Sequence, residues 1–141
     1  MASTILCIDD RQESTTIRKQ LLETKGYAVL TANDGPSGIA LLRKHPIDAI
    51  VLDYQMPGMN GDEVAHVIKQ EYPTLPIVLL SGVLYENPER LLYLVDAFVQ
   101  KGEHPEAFLS AVERVLKGRK KKQPSGQSSD AAAIASVRDA V

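Results

Sequence analysis

Five short apolar runs, separated by segments with helical periodicity, constrain the fold of this chain more than any other feature of its sequence. The runs span residues 5–8, 27–32, 49–52, 77–80 and 97–99. Most are apolar at consecutive positions rather than at alternate ones, so we expect both faces of each strand to be covered. Such strands are typical of a parallel sheet in which a helix connects each strand to the next.

The intervening segments predict five helices. A Lys25-Gly26 stop ends the first, His45-Pro46 ends the second, and Pro105 opens the fifth. Their inward-facing residues are predicted to be Ile17, Leu21, Leu22; Ile39, Leu41, Leu42; Val64, Val67, Ile68; Leu91, Leu92, Val95; and Phe108, Ala111, Val112, Val115. The sequence therefore predicts an α/β fold: a doubly wound, five-stranded parallel sheet with helices on both faces, which is a flavodoxin-like three-layer sandwich.

Length and charge predict one acidic domain and a polar tail. We expect residues 1–118 to form the domain and residues 119–141 to form a flexible tail, because a basic run after Gly118 is followed by a polar Gln/Pro/Ser/Gly stretch at residues 123–129. Residues 1–117 carry a net charge of −5, which argues against direct DNA binding. No apolar run is long enough to span a membrane and no signal-peptide pattern is present, so a cytoplasmic protein is expected. The single cysteine, Cys7, lies in an apolar run and is expected to be buried.

Polar side chains follow four of the predicted strands. Asp9 and Asp10 follow the first strand, Asp53 the third, Ser81 the fourth and Lys101 the fifth. In an open parallel sheet, ligands bind outside the carboxyl ends of the strands, near the point where strand order reverses. We therefore expect these side chains to converge on one crevice.

Three clustered carboxylates repel one another and require a cation among them. Magnesium prefers carboxylate oxygens and commonly shares its shell with a phosphate, so magnesium held by Asp9, Asp10 and Asp53 is predicted. A carboxylate can attack phosphorus to form an aspartyl phosphate. In that reaction Asp53 is the nucleophile, Lys101 pairs with one phosphoryl oxygen, and the Ser81 hydroxyl or a nearby backbone N–H pairs with another.

These residues resemble a known family. The segment 53–61 (DYQMPGMNG), with Asp9-Asp10, Ser81-Gly82 and Lys101, is similar to the receiver domain of bacterial two-component response regulators over about residues 3–117. The resemblance implies that Asp53 is the phosphoacceptor and that the backbone carbonyl of Gln55 joins the magnesium ligands. It also implies a signalling protein rather than an enzyme.

The same resemblance implies a switch and its partners. Ser81 would turn toward the phosphate, and Phe98 would change its burial as Ser81 moves. A sensor histidine kinase or a histidine phosphotransfer protein would supply the phosphoryl group. A separate downstream protein would read the new state on the face made by the fourth helix, fifth strand and fifth helix.

Two departures from the family pattern concern that face. Gly102 stands where the family has proline after the lysine, which predicts a trans bond or an unusually flexible loop. The segment between Ser81 and Lys101 is short and rich in leucine, so we expect its helix to be truncated, remodelled or used to form a homodimer.

Other functions stay open at this point. A receiver-like interaction module that works without phosphorylation is the first alternative, since only the switch region is unusual. An aspartate-nucleophile phosphatase is the second, although adjacent acids replace the Asp-x-Asp pair that such enzymes need. A nucleotide or flavin binder is disfavoured, because no glycine-rich phosphate loop follows the first strand.

Overall fold

A single parallel sheet organises the protein in a computed structural model that describes residues 2–82 and 93–122. The strands are β1 (Thr4–Ile8), β2 (Ala28–Ala32), β3 (Ala49–Asp53), β4 (Ile77–Ser81) and β5 (Ala97–Gln100). Their order is β2-β1-β3-β4-β5, and every neighbouring pair is parallel. The predicted fold class and the five predicted strands are confirmed.

Among the described residues, four helices cover the two faces of this sheet. They are α1 (Gln12–Thr24), α2 (Gly35–Lys44), α3 (Gly61–Glu71) and α4 (Pro105–Lys122), of which α4 is the fifth helix of the sequence prediction. Helices α1 and α4 contact each other on one face, and α2 contacts α3 on the other. Successive strand residues point to opposite faces, so β1 sends Leu6 and Ile8 into the core beneath α2 and α3, and Ile5 and Cys7 into the core beneath α1 and α4.

Local signals set where the helices begin. Asp34 caps α2, since its side chain accepts a hydrogen bond from the Ser37 N–H at 2.7 Å. Gly35 and Pro36 form part of the first turn of α2, where proline is well tolerated. At the start of α3 the Glu63 side chain reaches back to the Asn60 N–H at 3.2 Å.

Two residues predicted on the inward faces of helices differ from the prediction, one in its burial and the other in its secondary structure. Ile17 is 57% exposed, because the inward stripe of α1 is formed by Thr15, Arg18 and Leu22 at positions i, i+3 and i+7. Val95 is buried as predicted, yet it follows the helical residues 93–94 rather than lying within a helix. The remainder of the predicted fourth helix, with Leu91 and Leu92, lies outside the described residues.

An ionic clamp ties β4 to β5 at their amino ends. The Lys69 ammonium donates to the Leu75 carbonyl at 2.8 Å and to Oδ2 of Asp96 at 2.9 Å. Oδ2 of Asp96 also accepts the Ile77 N–H at 2.8 Å, and the Asp96 N–H donates to the Ile77 carbonyl at 2.8 Å. These four bonds fix the starts of both strands and the end of α3.

The helix α4 continues beyond Gly118. The Arg119 guanidinium donates to the carbonyls of Ile47 and Asp48, at 3.2 and 2.8 Å, and thereby fastens the helix to the amino end of β3. The predicted tail boundary at residue 118 therefore falls within a helix, while residues 123–141 lie outside the described residues. No helix in the described part of the chain has the length and apolar content needed to cross a bilayer.

Candidate functional site

The carboxyl ends of four adjacent strands bring the predicted site residues to one edge of the sheet. Asp9 and Asp10 follow β1, Asp53 ends β3, Ser81 ends β4 and Lys101 follows β5. From β1 the chain moves outward to β2 and then returns to β3 on the opposite side. The crevice between β1 and β3 is therefore the topological switch point at which open α/β sheets bind ligands.

Asp9, Asp10 and Asp53 form the acidic cluster that the strand ends predict. Each offers a carboxylate oxygen, and the three oxygens lie within 4.8 Å of one another. Asp9 and Asp53 are each only 1% exposed, whereas Asp10 is open to solvent. Residues far apart in the chain thus share a small, partly desolvated volume that favours a cation.

Lys101 closes one side of the cluster. Its Nζ lies 2.6 Å from Oδ1 of Asp53, and its backbone N–H donates to the Ser81 carbonyl at 2.8 Å. This backbone bond continues the pairing of β4 with β5 by one residue and so holds Lys101 beside Ser81, which is itself buried. Oδ1 of Asp53 is buried, and no aligned hydrogen bond reaches it from the described residues.

Arg18 closes the other side of the cluster, and the sequence prediction missed it. Its guanidinium forms an ion pair with Oδ2 of Asp9, while the Arg11 N–H donates to Oδ1 of Asp9 at 2.9 Å. Thr15, one turn before Arg18, is buried on the same stripe and donates to the Arg11 carbonyl at 2.9 Å. The available signal was the spacing of Thr15, Arg18 and Leu22, which places the arginine on the sheet side of α1.

Opposing influences set the acidity of Asp53. Burial is the largest influence and raises the pKa of its carboxyl, the contact with Lys101 lowers it, and the nearby charge of Asp9 raises it. The positive charges of Lys101 and Arg18 lower it further, but the net pKa stays above the ordinary value. The folded protein therefore holds the Asp53 carboxylate in an environment that disfavours its charge.

The donor set fits a magnesium ion. Three carboxylate oxygens lie within 4.8 Å of one another, two of the three carboxylates are buried, and the Lys101 ammonium offsets only part of their charge. Hard oxygen ligands, few in number and open to solvent on the Asp10 side, are the kind of shell that Mg²⁺ completes with water and phosphate.

The loop after β3 approaches the site through Gly61. Its N–H donates to the Tyr54 carbonyl at 2.7 Å, and a Cβ built on it would lie 2.7 Å from the Asp53 carbonyl oxygen. Only glycine allows α3 to begin this close to the strand that carries Asp53. Gln55, the predicted carbonyl ligand, lies in the same loop and has an exposed side chain.

The remaining predicted residues lie on β5 and just after it. Phe98 pairs with Leu79 in the sheet and packs, half-buried, against the core beneath α2 and α3. Gly102 has a φ of +92°, a conformation that suits glycine, and all peptide bonds among the described residues are trans. The trans bond expected after Lys101 is confirmed. Cys7 is buried as predicted.

Comparison with known proteins identifies relatives among response regulators and sensor kinases. The family model described as "Response regulator receiver domain" matches residues 5–113. The response regulator GtcR of Aneurinibacillus migulanus is 32% identical over 82% of this chain and 47% of its own length. The autoinducer 1 sensor kinase/phosphatase LuxN of Vibrio campbellii is 32% identical over 80% of this chain.

Solved structures agree with these relatives. The crystal structure of response regulator protein TrrA from Thermotoga maritima, in complex with Mg(2+)-BeF, has a TM-score of 0.76 at 26% identity and covers 80% of this chain and 98% of that one. This chain spans 13% of LuxN and about half of GtcR, so the likeness concerns one domain of those proteins. With its family model, its fold and its clustered aspartates in agreement, the chain belongs to the response regulator receiver domain family.

Proposed function

We propose that this chain is a two-component response regulator that accepts a phosphoryl group on Asp53 and signals through contacts with another protein. The observation that carries the proposal is the buried Asp53 carboxylate, which lies against Asp9 and Asp10 on one side and 2.6 Å from the Lys101 ammonium on the other. A nucleophile, an acidic metal-binding cluster and a fixed cation at one sheet edge are the parts that phosphoryl transfer requires.

In the proposed reaction an oxygen of Asp53 forms a bond to phosphorus. The bond from phosphorus to the donor, a histidine nitrogen or an acyl oxygen, breaks at the same time, and the leaving group keeps the electron pair. Lys101 offsets the charge on one phosphoryl oxygen, and the Ser81 hydroxyl donates to another. The chain accepts one phosphoryl group rather than turning over a substrate, so we do not propose an enzyme.

Receiver domains bind Mg²⁺ at an acidic aspartate cluster. In this chain Asp9, Asp10, Asp53 and the backbone carbonyl of Gln55 would hold the ion, which when bound would neutralise charge on the phosphoryl group. The TrrA complex with Mg(2+)-BeF supports this assignment by similarity. Asp53 remains the attacking group in the proposal, and Lys101 keeps its contact with the same carboxylate.

The signal is proposed to leave the site through β5. The Ser81 carbonyl accepts the Lys101 N–H, so a change at either residue acts on the carboxyl ends of β4 and β5 together. Phe98 lies half-buried on β5, two pairs before the pair of Ser81 with Gln100, and is proposed to change its burial when Ser81 turns. The face formed by β5, α4 and the segment that precedes β5 would display the change, and a homodimer through that face is part of the proposal.

Receiver domains are phosphorylated by sensor histidine kinases. We propose such a kinase, or a histidine phosphotransfer protein, as the donor for this chain, and a separate protein as its target, with no direct binding to DNA. The proposal places the protein in the cytoplasm, with the receiver domain extending to the end of α4 at Lys122 and residues 123–141 as a tail.

One observation favours a second candidate, an interaction module that works without phosphorylation. Asp9 and Asp53 already carry ion-pair partners from the chain itself, Arg18 and Lys101, so the folded site has internal counter-charges. Within residues 2–82 and 93–122, no comparable feature favours a phosphatase.

Mass spectrometry after incubation with Mg²⁺ and a small acyl phosphate tests the proposal. We expect wild type to gain the mass of one HPO₃ group and Asp53→Asn to gain none. Asp34→Asn is a matched control, because Asp34 is an exposed helix cap that asparagine replaces well. Labelling of Asp53→Asn would refute the assignment of Asp53. Unlabelled wild type would favour the interaction module, and sustained hydrolysis of phosphate esters would favour the phosphatase.

A further inference from the structure

Arg18 occupies an unusual place for a charged side chain. It stands on the inward stripe of α1 between Thr15 and Leu22, and its side chain is only 15% exposed. A charge in such a position is costly unless it is paired, and its partner is the buried carboxylate of Asp9. The pair therefore holds a permanent positive charge against the acidic cluster.

Both oxygens of Asp9 are engaged by the chain itself. Oδ2 pairs with Arg18, and Oδ1 accepts the Arg11 N–H at 2.9 Å. The second contact comes from the backbone at the start of α1, so it does not depend on the arginine side chain. The orientation of Asp9 is thus maintained by Arg11 even where Arg18 is replaced, and the main contribution of Arg18 is its charge.

The charge balance of the site then depends on Arg18. The three carboxylates are offset by two cations, Lys101 and Arg18, which leaves a formal charge of about −1 when all are ionised. Without Arg18 the same site would carry about −2, a better match for a divalent cation.

We propose that Arg18 is a positioning residue that competes with Mg²⁺ for the charge of Asp9 and thereby lowers the magnesium affinity of the site. This inference rests on the proposed function, since it concerns the same acidic cluster. The guanidinium contacts a carboxylate of the cluster and would repel a divalent ion bound there; at an assumed separation of about 6 Å that repulsion, even in bulk water, would weaken binding about tenfold. The domain therefore needs more free magnesium than the same site without the arginine, so magnesium level and phosphorylation are linked.

Magnesium titrations of the full chain followed by ¹H–¹⁵N correlation spectra test this directly. The amides of Asp10 and Tyr54 report on the site, and their shifts give a Kd without any phosphorylation. We expect Arg18→Met to bind Mg²⁺ about tenfold more tightly than wild type. Arg18→Lys should stay close to wild type, because it keeps the charge. Lys19→Met removes an exposed charge from the same helix and should change the Kd little.

The outcomes separate the inference from the function on which it rests. Equal Kd values in wild type and Arg18→Met, or weaker binding in Arg18→Met, would overturn the role of Arg18 while leaving the magnesium site intact. Amide shifts that never reach Asp10 and Tyr54 would overturn the metal site as well. If Arg18→Met does not fold, Arg18→Gln removes the charge with a polar side chain. A larger Mg²⁺-induced rise in the unfolding temperature of Arg18→Gln than of wild type then supports the inference, and an equal rise contradicts it.

Discussion

The Lys101 ammonium lies 2.6 Å from Oδ1 of Asp53, so the last residue of β3 is bonded across the edge of the sheet to the first residue after β5. Between them runs β4, whose last residue, Ser81, accepts the Lys101 N–H. Three strands are therefore coupled at the point where the proposed phosphoryl group would be attached.

Replacing Asp53 should stabilise the metal-free protein at neutral pH. Burial raises the pKa of this carboxyl above its ordinary value of 3.8. The ionised carboxylate therefore destabilises the folded protein, and this penalty develops as the pH rises from 3.8 through the folded pKa. Asp53→Asn lacks that penalty. We expect its free energy of unfolding in EDTA to exceed that of wild type by about 1 kcal/mol at pH 7. The difference should disappear on acidification below the ordinary value, as measured by urea unfolding.

Asp34→Asn provides the opposite control. The Ser37 N–H lowers the pKa of the Asp34 carboxyl, so ionised Asp34 contributes stability above its ordinary value, and this contribution is lost as pH falls through the folded pKa. Asp34→Asn should therefore be slightly less stable than wild type at neutral pH. A stabilising Asp34→Asn, or a destabilising Asp53→Asn at pH 7, would contradict the electrostatic description.

Gly61→Ala should disturb the site through the backbone. The new Cβ would lie 2.7 Å from the Asp53 carbonyl oxygen and from the Tyr54 Cα, and neither can move without moving the end of β3. We expect unfolding to become easier by about 1 to 3 kcal/mol, with reduced labelling of Asp53. The same change at Gly118, where nothing lies within 4 Å, should instead stabilise α4 by about 0.5 to 1 kcal/mol. Equal effects at the two positions would refute the close-approach argument.

Lys69→Met should weaken the clamp between β4 and β5. Lys69 and Asp96 are both largely buried, and Oδ2 of Asp96 keeps only the Ile77 N–H once the ammonium is gone. A loss of about 1.5 to 3 kcal/mol in urea unfolding is expected. Arg43→Met breaks the exposed pair with Glu71 and should cost less than about 1 kcal/mol, so a loss as large as that of Lys69→Met would contradict this ranking.

Cys7 should be inert in the folded protein. Burial raises the pKa of its thiol to about 12, so very little thiolate exists near pH 8. We expect a thiol reagent to label Cys7 slowly in native protein and rapidly in urea. Fast native labelling would show that the core beneath α1 and α4 opens more readily than its burial indicates.

The strands and most of the site could be predicted because they depend on patterns that are visible in the sequence itself: apolar runs and the polar residues that follow them. Continuous apolar runs identify β1, β3 and β4, and the parallel arrangement then brings Asp9, Asp53 and Lys101 to one edge. That inference needs only strand direction and the residue that follows each strand.

Arg18 and Ile17 show where this reasoning stops. An apolar residue is normally assigned to the inner face of a helix, so the sequence predicts Ile17 on the inner face and assigns no position to Arg18. The structure instead exposes Ile17 and turns Arg18 toward the sheet, because buried Asp9 requires a cation and the arginine reaches it from α1. A periodicity rule treats each element alone, whereas this choice depends on a charge that belongs to another element.

The clamp formed by Lys69, Asp96 and Ile77 limits which parts of β4 and β5 can move when the site changes. Because β4 and β5 are fastened at their amino ends, we expect a displacement of Ser81 or Lys101 to move the carboxyl ends of the two strands more than their amino ends. The largest movement is then expected at the edge of the sheet beside Asp53, where the proposed phosphoryl group would be attached.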